Sequence, residues 1–426
     1  MSACGLCKLV LKIEISEIIS DQVESIITYM PYLSLNQSMS KEDIFNQRTI
    51  EGCLAAPGSK WRRHPPDVIP MFVADPDFPV ADEIKDALIK SVREEDLFYN
   101  TDVEIREVMA AKITSKNKYN ATYEDVLITQ GVSPGMWLAI RHSCKEDGDE
   151  VVVTNPMYGP FSGAANATKT KQLIWNLDFE DGYKFDIDAL NELITPKTKL
   201  IFVCNPHNPT GRMMTKEELK GVADIAVDKN IEVFCDELHE DITFDGRKHI
   251  SIASLNPEIE ALTMTSWGFS KTFGVAGLQV GYMCSTNKET MDDVRLQSRS
   301  AMRGTSTLSK AAAPVMLSSA LDWWREGLLV HMHKIRDIVY KRLDEIEGVS
   351  YPKLEGTYLH FPKFDYGMTS NELLDYLVKE GKVGPSSGTG FGSNGEGHLR
   401  FCIATSEVIL NEALDRLERA LNKLKK

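Results

Sequence analysis

The run TSWGFSKTFGVAGLQVGYM holds a single cation: Lys271 is the only Lys or Arg between Lys248 and Lys288. An amine among Gly, Ser and apolar residues loses the solvation of its charged form, which depresses its pKa and favours a neutral nucleophile. Such a lysine suits condensation with a carbonyl to a Schiff base; the plainer alternative is a side chain lying along apolar surface with its head in water. Asp236 ends the apolar run IEVFCDE. A carboxylate there can be an ordinary turn or cap residue. Beside an aromatic nitrogen heterocycle it would keep the ring nitrogen protonated and make the ring an electron sink. Asn208 lies in CNPHNPTGR, where turn chemistry explains Asn, Pro and Gly equally well; its other use is as a donor to a phenolate-like oxygen. In ITQGVSPGMWLAI, Gly131 permits close backbone approach, Ser133 can cap, and Pro134 suits the first helical position. Free amides and the helix dipole would then hold a dianion, unless the segment is just a well-capped helix. Tyr158 in NPMYGP can stack on a ring or pack in the core.

These residues need elements to carry them. DEVVVTNP, TKLIFVCNP, IEVFCDE, ALTMTS and GLQVGYM read as strands, and PGMWLAIRHSCKE and TKEELKGVADIAVDKN as helices between them. The alternation predicts an α/β fold with a mostly parallel sheet between helices, and a ligand site at the C-terminal ends of its strands. The polar motifs stand at those exits. After about residue 320 long helices replace the alternation, DWWREGLLVHMHKIRDIVYKRLDEIEG and SEVILNEALDRLERALNKLKK, which predicts a second, α+β domain. The expected division is an extension over 1–38, residues 39–85 and 321–426 in the smaller domain, and 86–320 in the larger.

The formal charge of −14, from 48 Lys+Arg against 62 Asp+Glu, argues against nucleic acid, which calls for clustered cations. Residues 1–38 hold two lysines and no arginine, so they are no basic arm. Eight cysteines, several inside apolar runs, suggest free thiols in a reducing compartment, with the cytoplasm expected. Cys4 and Cys7 lack a second pair at zinc-site spacing, and no metal is expected. No run is long and apolar enough to span a bilayer.

The Gly turn, Tyr158, Asn208, Asp236 and Lys271 follow one another in an order that resembles the fold-type I pyridoxal 5'-phosphate (PLP) enzymes of the aminotransferase class I/II family, from about Ser40 to the C-terminus. The resemblance implies a seven-stranded sheet and Lys271 as the catalytic, Schiff-base lysine. It further implies Asp236 on the ring nitrogen, Asn208 on the ring hydroxyl, Tyr158 stacked, and amides of Gly131, Val132 and Ser133 on the phosphate. His239 and Ser270 join this cofactor set, with Tyr99 reaching the phosphate from a neighbouring subunit. Arg400 in GEGHLRFCIA would clamp the substrate carboxylate, with Ala74 beside it. A homodimer with shared sites is part of the same expectation.

Within the family, SKW, IPMFVADPDF, CDELHEDITFDGRKHISIASL, SKTFGVAGLQ and EGTYLHF resemble the cystathionine β-lyase-like (MalY/PatB-type) branch. His239 stands where many aminotransferases have tyrosine, and Gln279 where they have a phosphate-binding arginine. Gly268 replaces a frequent serine, and FCIATSE reads more like an aminotransferase. The resemblance implies a C–S β-lyase on cystathionine- or cysteine-like substrates, with a transaminase as the alternative. A PLP-binding regulatory module is a remote third, since 1–38 is too short and too acidic for a DNA-binding domain.

Overall fold

The structure, a computed structural model, describes residues 41–95, 97–99, 101–302 and 304–424. The extension expected over 1–38, with Cys4 and Cys7, lies outside them. Residues Glu42–Lys426 form one compact unit.

The strands, in chain order, are β1 (Ile69–Pro70), β2 (Val126–Thr129), β3 (Glu150–Asn155), β4 (Lys171–Asn176), β5 (Thr198–Cys204), β6 (Glu232–Asp236), β7 (Thr263–Gly268), β8 (Gly281–Cys284), β9 (Val349–Ser350), β10 (Leu359–His360), β11 (Lys363–Phe364), β12 (Val383–Gly384), β13 (Ser386–Ser387) and β14 (Leu399–Cys402). Seven of them make one sheet in the order β2-β8-β7-β6-β5-β3-β4. β4, β3, β5, β6 and β7 run parallel, while β8 lies antiparallel to both β7 and β2. The expected α/β class and mostly parallel seven-stranded sheet are thus present.

The burial of each strand explains its sequence. β3 is buried at every position and reads EVVVTN, as a strand covered on both faces must. β4 forms the edge, and its KQLIWN is largely exposed or half-buried. Helices close both faces. Val152, Ile201, Val203, Val233 and Cys235 pack with Leu219, Val222 and Ala226 of the helix Lys216–Lys229. Val151, Val153, Leu200, Phe202 and Phe234 pack with Met136, Leu138 and Ile140 of the helix Ser133–Ser143. The Lys216–Lys229 helix is fixed at one end by a Thr215–Glu218 capping box and at the other by Asn230 in the left-handed region.

A further core joins residues 45–69 to the two long helices of the C-terminal part. Phe45, Trp61 and Ile69 pack with Trp324 and Leu328 of the helix Asp322–Leu343, and with Leu410 and Leu417 of Glu407–Leu424. β1 pairs in parallel with β12, and β14 lies between β10 and β13. The apolar spacing of both terminal helices announced them; the short strands β9 to β13, two residues each, carry too little periodicity to be read. Among the described residues no helix is long and apolar enough to cross a membrane. The six described cysteines are free thiols.

Candidate active site

Register brings the strand exits together. Cys204 is opposite Asp236, and Asp236 opposite Ser266. The segments after β5, β6 and β7 therefore leave side by side, carrying Asn208, Asp236–His239 and Lys271. Antiparallel pairing sets Gly268 and Thr129 on either side of Gly281, which adds the Gly131 turn to the same edge.

Lys271 is half-buried, and its Nζ donates to the Ala74 carbonyl at 2.7 Å. The Tyr358 hydroxyl donates to the main-chain oxygens of Lys271 and Ala74 at 3.4 and 3.5 Å. Burial is the main reason the amine's pKa lies below the usual lysine value, with Arg400 adding to it; Asp75 is the largest charge opposing the shift. A lowered amine pKa raises the share of the neutral form, which is the nucleophile that carbonyl chemistry requires.

Asp236 is 5% exposed, and burial pushes its carboxyl up to about 7. The Leu238 amide, donating to Oδ1 at 3.0 Å, and the nearby Lys271 charge only partly offset this. Arg400 projects from β14. Its Nη1 donates to Asn208 Oδ1 at 3.0 Å and its Nη2 to the Phe72 carbonyl at 2.6 Å, while the guanidinium lies 4.5 Å from the Phe391 ring centroid. Nε is buried without a partner. Burial lowers the Arg400 pKa to about 10, which still leaves it charged at neutral pH. With Asn208 Oδ1 accepting from Arg400, the Asn208 amide hydrogens are free to face the opposite way.

His239 is buried, its Nδ1 has no partner, and its ring meets Tyr358 edge-on with centroids 5.6 Å apart. Burial, then the Lys271 and Arg400 charges, hold its pKa well below the usual histidine value. The imidazole is neutral.

At the Gly turn, Gly131 has φ +88° and open space where a Cβ would stand. Thr129 Oγ1 braces the turn by donating to the Gly131 carbonyl at 2.6 Å. One expectation is corrected here. Val132, not Ser133, occupies the N-cap position; Ser133 begins the helix, Pro134 is second, and the Ser133 hydroxyl makes no cap bond. It meets the Tyr158 hydroxyl instead. The helix enters through backbone geometry set by Gly131, and its first amides stay available. Tyr158 itself stands at the start of the helix Gly159–Ala167 and is half-buried.

Ser270 is half-buried beside Lys271, and Gln279 is exposed in the left-handed region at the end of a short 3-10 turn, Ala276–Leu278. The strand expected from GLQVGYM therefore starts only at Gly281. At Gly268 a Cβ would lie 2.8 Å from Leu238 Cδ1, so a larger residue there displaces Leu238. Tyr99 is fully exposed. Below Asp236, Glu237, Glu240 and His249 bring possible ligand atoms within 4.8 Å of one another. Those carboxylates are already engaged: Lys112 and Lys116 pair with Glu240, and Trp267, Ser251 and Asn117 donate to Glu237.

Reasoning from sequence missed Tyr358, Phe72, Phe391 and Asp75 as neighbours of the site. Tyr358 lies inside EGTYLHF, but an aromatic in a short strand-like run carries no chemical signature.

The donor set fits PLP on observations of this chain. A deeply buried carboxylate whose only hydrogen bond among the described residues comes from one amide suits a ring cation. The turn at Gly131 is open where a side chain would fill it. Arg400 Nε and His239 Nδ1 are buried polar atoms without partners. Fold and site together define a PLP-dependent enzyme of amino-acid metabolism. Residues 66–417 match the model of the family "Aminotransferase class I and II", and the chain belongs to that family. It is 30% identical to aromatic-amino-acid aminotransferase 2 of Thermococcus litoralis over 363 residues, 84% of this chain and 92% of that one. It is 29% identical to cystathionine beta-lyase PatB of Bacillus subtilis over 364 residues, 84% and 93%. Among solved structures, cystalysin from Treponema denticola, which contains PLP, superposes with a TM-score of 0.83 at 26% identity, covering 89% of this chain and 99% of that one.

Proposed function

We propose that this protein is a C–S β-lyase acting on cystathionine- or cysteine-like amino acids. When bound, PLP supplies a cationic ring that draws off negative charge from the substrate's Cα. In this reading Lys271 holds the cofactor and then moves the Cα proton. Asp236 balances the ring-nitrogen charge, Asn208 donates to the ring oxygen, and Tyr158 covers the ring face. Amides of Gly131, Val132 and Ser133, with the Ser270 hydroxyl, hold the phosphate at the helix N-terminus. Tyr99, wholly exposed on its own chain, would reach a partner's phosphate in a homodimer. Arg400 fixes the substrate carboxylate beside the Ala74 main chain. Residues 86–320 would form the cofactor domain, with 39–85 and 321–426 in the smaller one, a division supported by the pairing of β1 with β12.

The observation that carries the lyase assignment is His239. β-Elimination needs one group for the Cα proton and benefits from another for the departing sulfur, whereas transamination needs only the first. The neutral His239 imidazole, its Nδ1 unpartnered beside Lys271 and Arg400, can hydrogen-bond the departing sulfur, which then takes from Lys271 the proton that this amine removed from Cα. The competing reading, a transaminase, draws on FCIATSE after Arg400 and on the relatives named aminotransferases. Incubation with cystathionine and with cysteine decides between them. Release of pyruvate and free thiol supports the lyase. No thiol, together with conversion of glutamate or an aromatic amino acid to its 2-oxo acid, reverses the assignment.

A further inference from the structure

The Ala74 carbonyl is the one main-chain partner of the Lys271 amine, at 2.7 Å, so whatever fixes Ala74 also aims Lys271. The turn Ala74–Asp77 is held by an arrangement that core packing alone does not require. Lys60, 3% exposed, donates to the Asp75 carbonyl at 2.8 Å and pairs with Asp77 Oδ2 at 2.8 Å. Asp77 Oδ1 accepts from Trp61 Nε1 at 2.7 Å, and the Asp77 amide donates to the Ala404 carbonyl at 2.9 Å. Ala404 stands two residues after Cys402, the last residue of β14, the strand that carries Arg400. The same few bonds thus tie the turn that receives Lys271 to the strand that presents Arg400.

A buried ion pair gains little stability, because desolvating two charges roughly cancels their attraction. Apolar residues of the same volume could fill the same buried space. What they could not do is hold the Asp75 carbonyl and the Asp77 carboxylate from one nitrogen, and so fix the direction of the intervening peptides.

We propose that Lys60 and Asp77 are positioning residues for catalysis: their buried pair fixes the Ala74–Asp75 turn so that the Ala74 carbonyl receives the Lys271 amine. The proposal rests on the reading of Lys271 as the catalytic amine. The charged and titratable groups facing that amine are Asp75, Asp236, His239, Arg400 and Cys402, with Tyr358 bonded to its main chain. Loosening the turn removes a hydrogen-bond acceptor that favours the ammonium form and lets Asp75 drift. The amine should then become easier to deprotonate and worse aimed.

The test is K60M/D77L, which removes both charges at once and leaves neither buried alone, read beside W61F, which removes only the indole donor to Asp77. In the full-length protein stripped of cofactor, the pH dependence of Lys271 acetylation by acetic anhydride is followed by peptide mass spectrometry. Thermal unfolding and steady-state kinetics are run in parallel. The positioning role gives a Lys271 midpoint lowered by about half a pH unit or more in K60M/D77L and by less in W61F. In the reconstituted enzyme kcat falls about tenfold or more with KM nearly constant, while the melting temperature holds. A merely structural pair would leave midpoint and kcat at the parent values in whichever variants fold, W61F included, and that result overturns the proposal. A K271A protein that keeps full activity would instead remove the underlying reading of Lys271, so the two failures are distinguishable.

Discussion

Replacing Arg400 by lysine keeps the charge and removes the planar fork. The guanidinium has five N–H donors; one goes to Asn208 and one to Phe72, and Nε is left buried without a partner. That geometry leaves a two-point grip for a carboxylate. A lysine ammonium has three donors on one atom and cannot serve Asn208, Phe72 and both carboxylate oxygens together. Losing one or two charge-assisted bonds at roughly 1.5–3 kcal/mol each comes to about 3 kcal/mol. Each 1.36 kcal/mol is a factor of ten, so kcat/KM for an amino-acid substrate should fall about 100-fold. The grip acts on substrate before and during reaction alike, so most of the loss should fall on KM. The assay is steady-state kinetics on an amino acid and on the amine lacking its carboxylate, for parent and Arg400→Lys. The parent should strongly prefer the amino acid, and the variant should lose most of that preference with the amine little changed. A variant with kcat/KM within a few-fold of the parent and an intact preference would refute the assignment of Arg400.

Asp236 gives a prediction of unusual sign. Its folded pKa of about 7 lies above the unfolded carboxylate value, so the cofactor-free protein loses stability as pH rises from roughly 4 to roughly 7. Asp236→Asn should therefore raise the melting temperature of the cofactor-free protein at pH 8 while abolishing turnover; a lower melting temperature would contradict it. His142 bridges Glu232 at 3.1 Å and Asp293 at 2.6 Å, and the two carboxylates raise its pKa against the effect of burial. That contribution is present below the unfolded histidine value and disappears as pH rises through the folded one. His142→Gln should cost about 1 kcal/mol more at pH 6 than at pH 9 in urea unfolding, after solvent screening is allowed for, and an equal cost at both would sink the idea. At Gly281 a Cβ would lie 2.6 Å from the Trp267 carbonyl and 3.0 Å from Gly131 Cα. Gly281→Ala should push the Gly131 turn outward and weaken PLP retention about tenfold in equilibrium dialysis; unchanged retention would separate that turn from the phosphate.

Much of this was legible in the residues because a strand buried on both faces has little compositional freedom. IFVC, EVFC and VVVT announce themselves, and the polar residue ending each run must sit at a strand exit. β4 escaped notice because an edge strand reading KQLIWN has little to hide from water. The Ser133 cap was misplaced because Gly131 reshapes the entry to its helix, and a left-handed residue does that without any side-chain signal. Gln279 was assigned to a strand for a similar reason: its own left-handed backbone ends a turn that sequence alone ran into β8. Tyr358 and the turn held by the Lys60–Asp77 pair lie far along the chain from Lys271. Only the folded core around Trp324, whose indole donates to the Thr272 carbonyl, brings them to Lys271.

The most direct measurement is borohydride reduction of the PLP-loaded protein followed by peptide mass spectrometry. The cofactor's mass should be found on the peptide containing Lys271, and Lys271→Ala should carry none and be inactive. Label on another lysine, or unchanged turnover by Lys271→Ala, would mean that this amine is not where the chemistry happens.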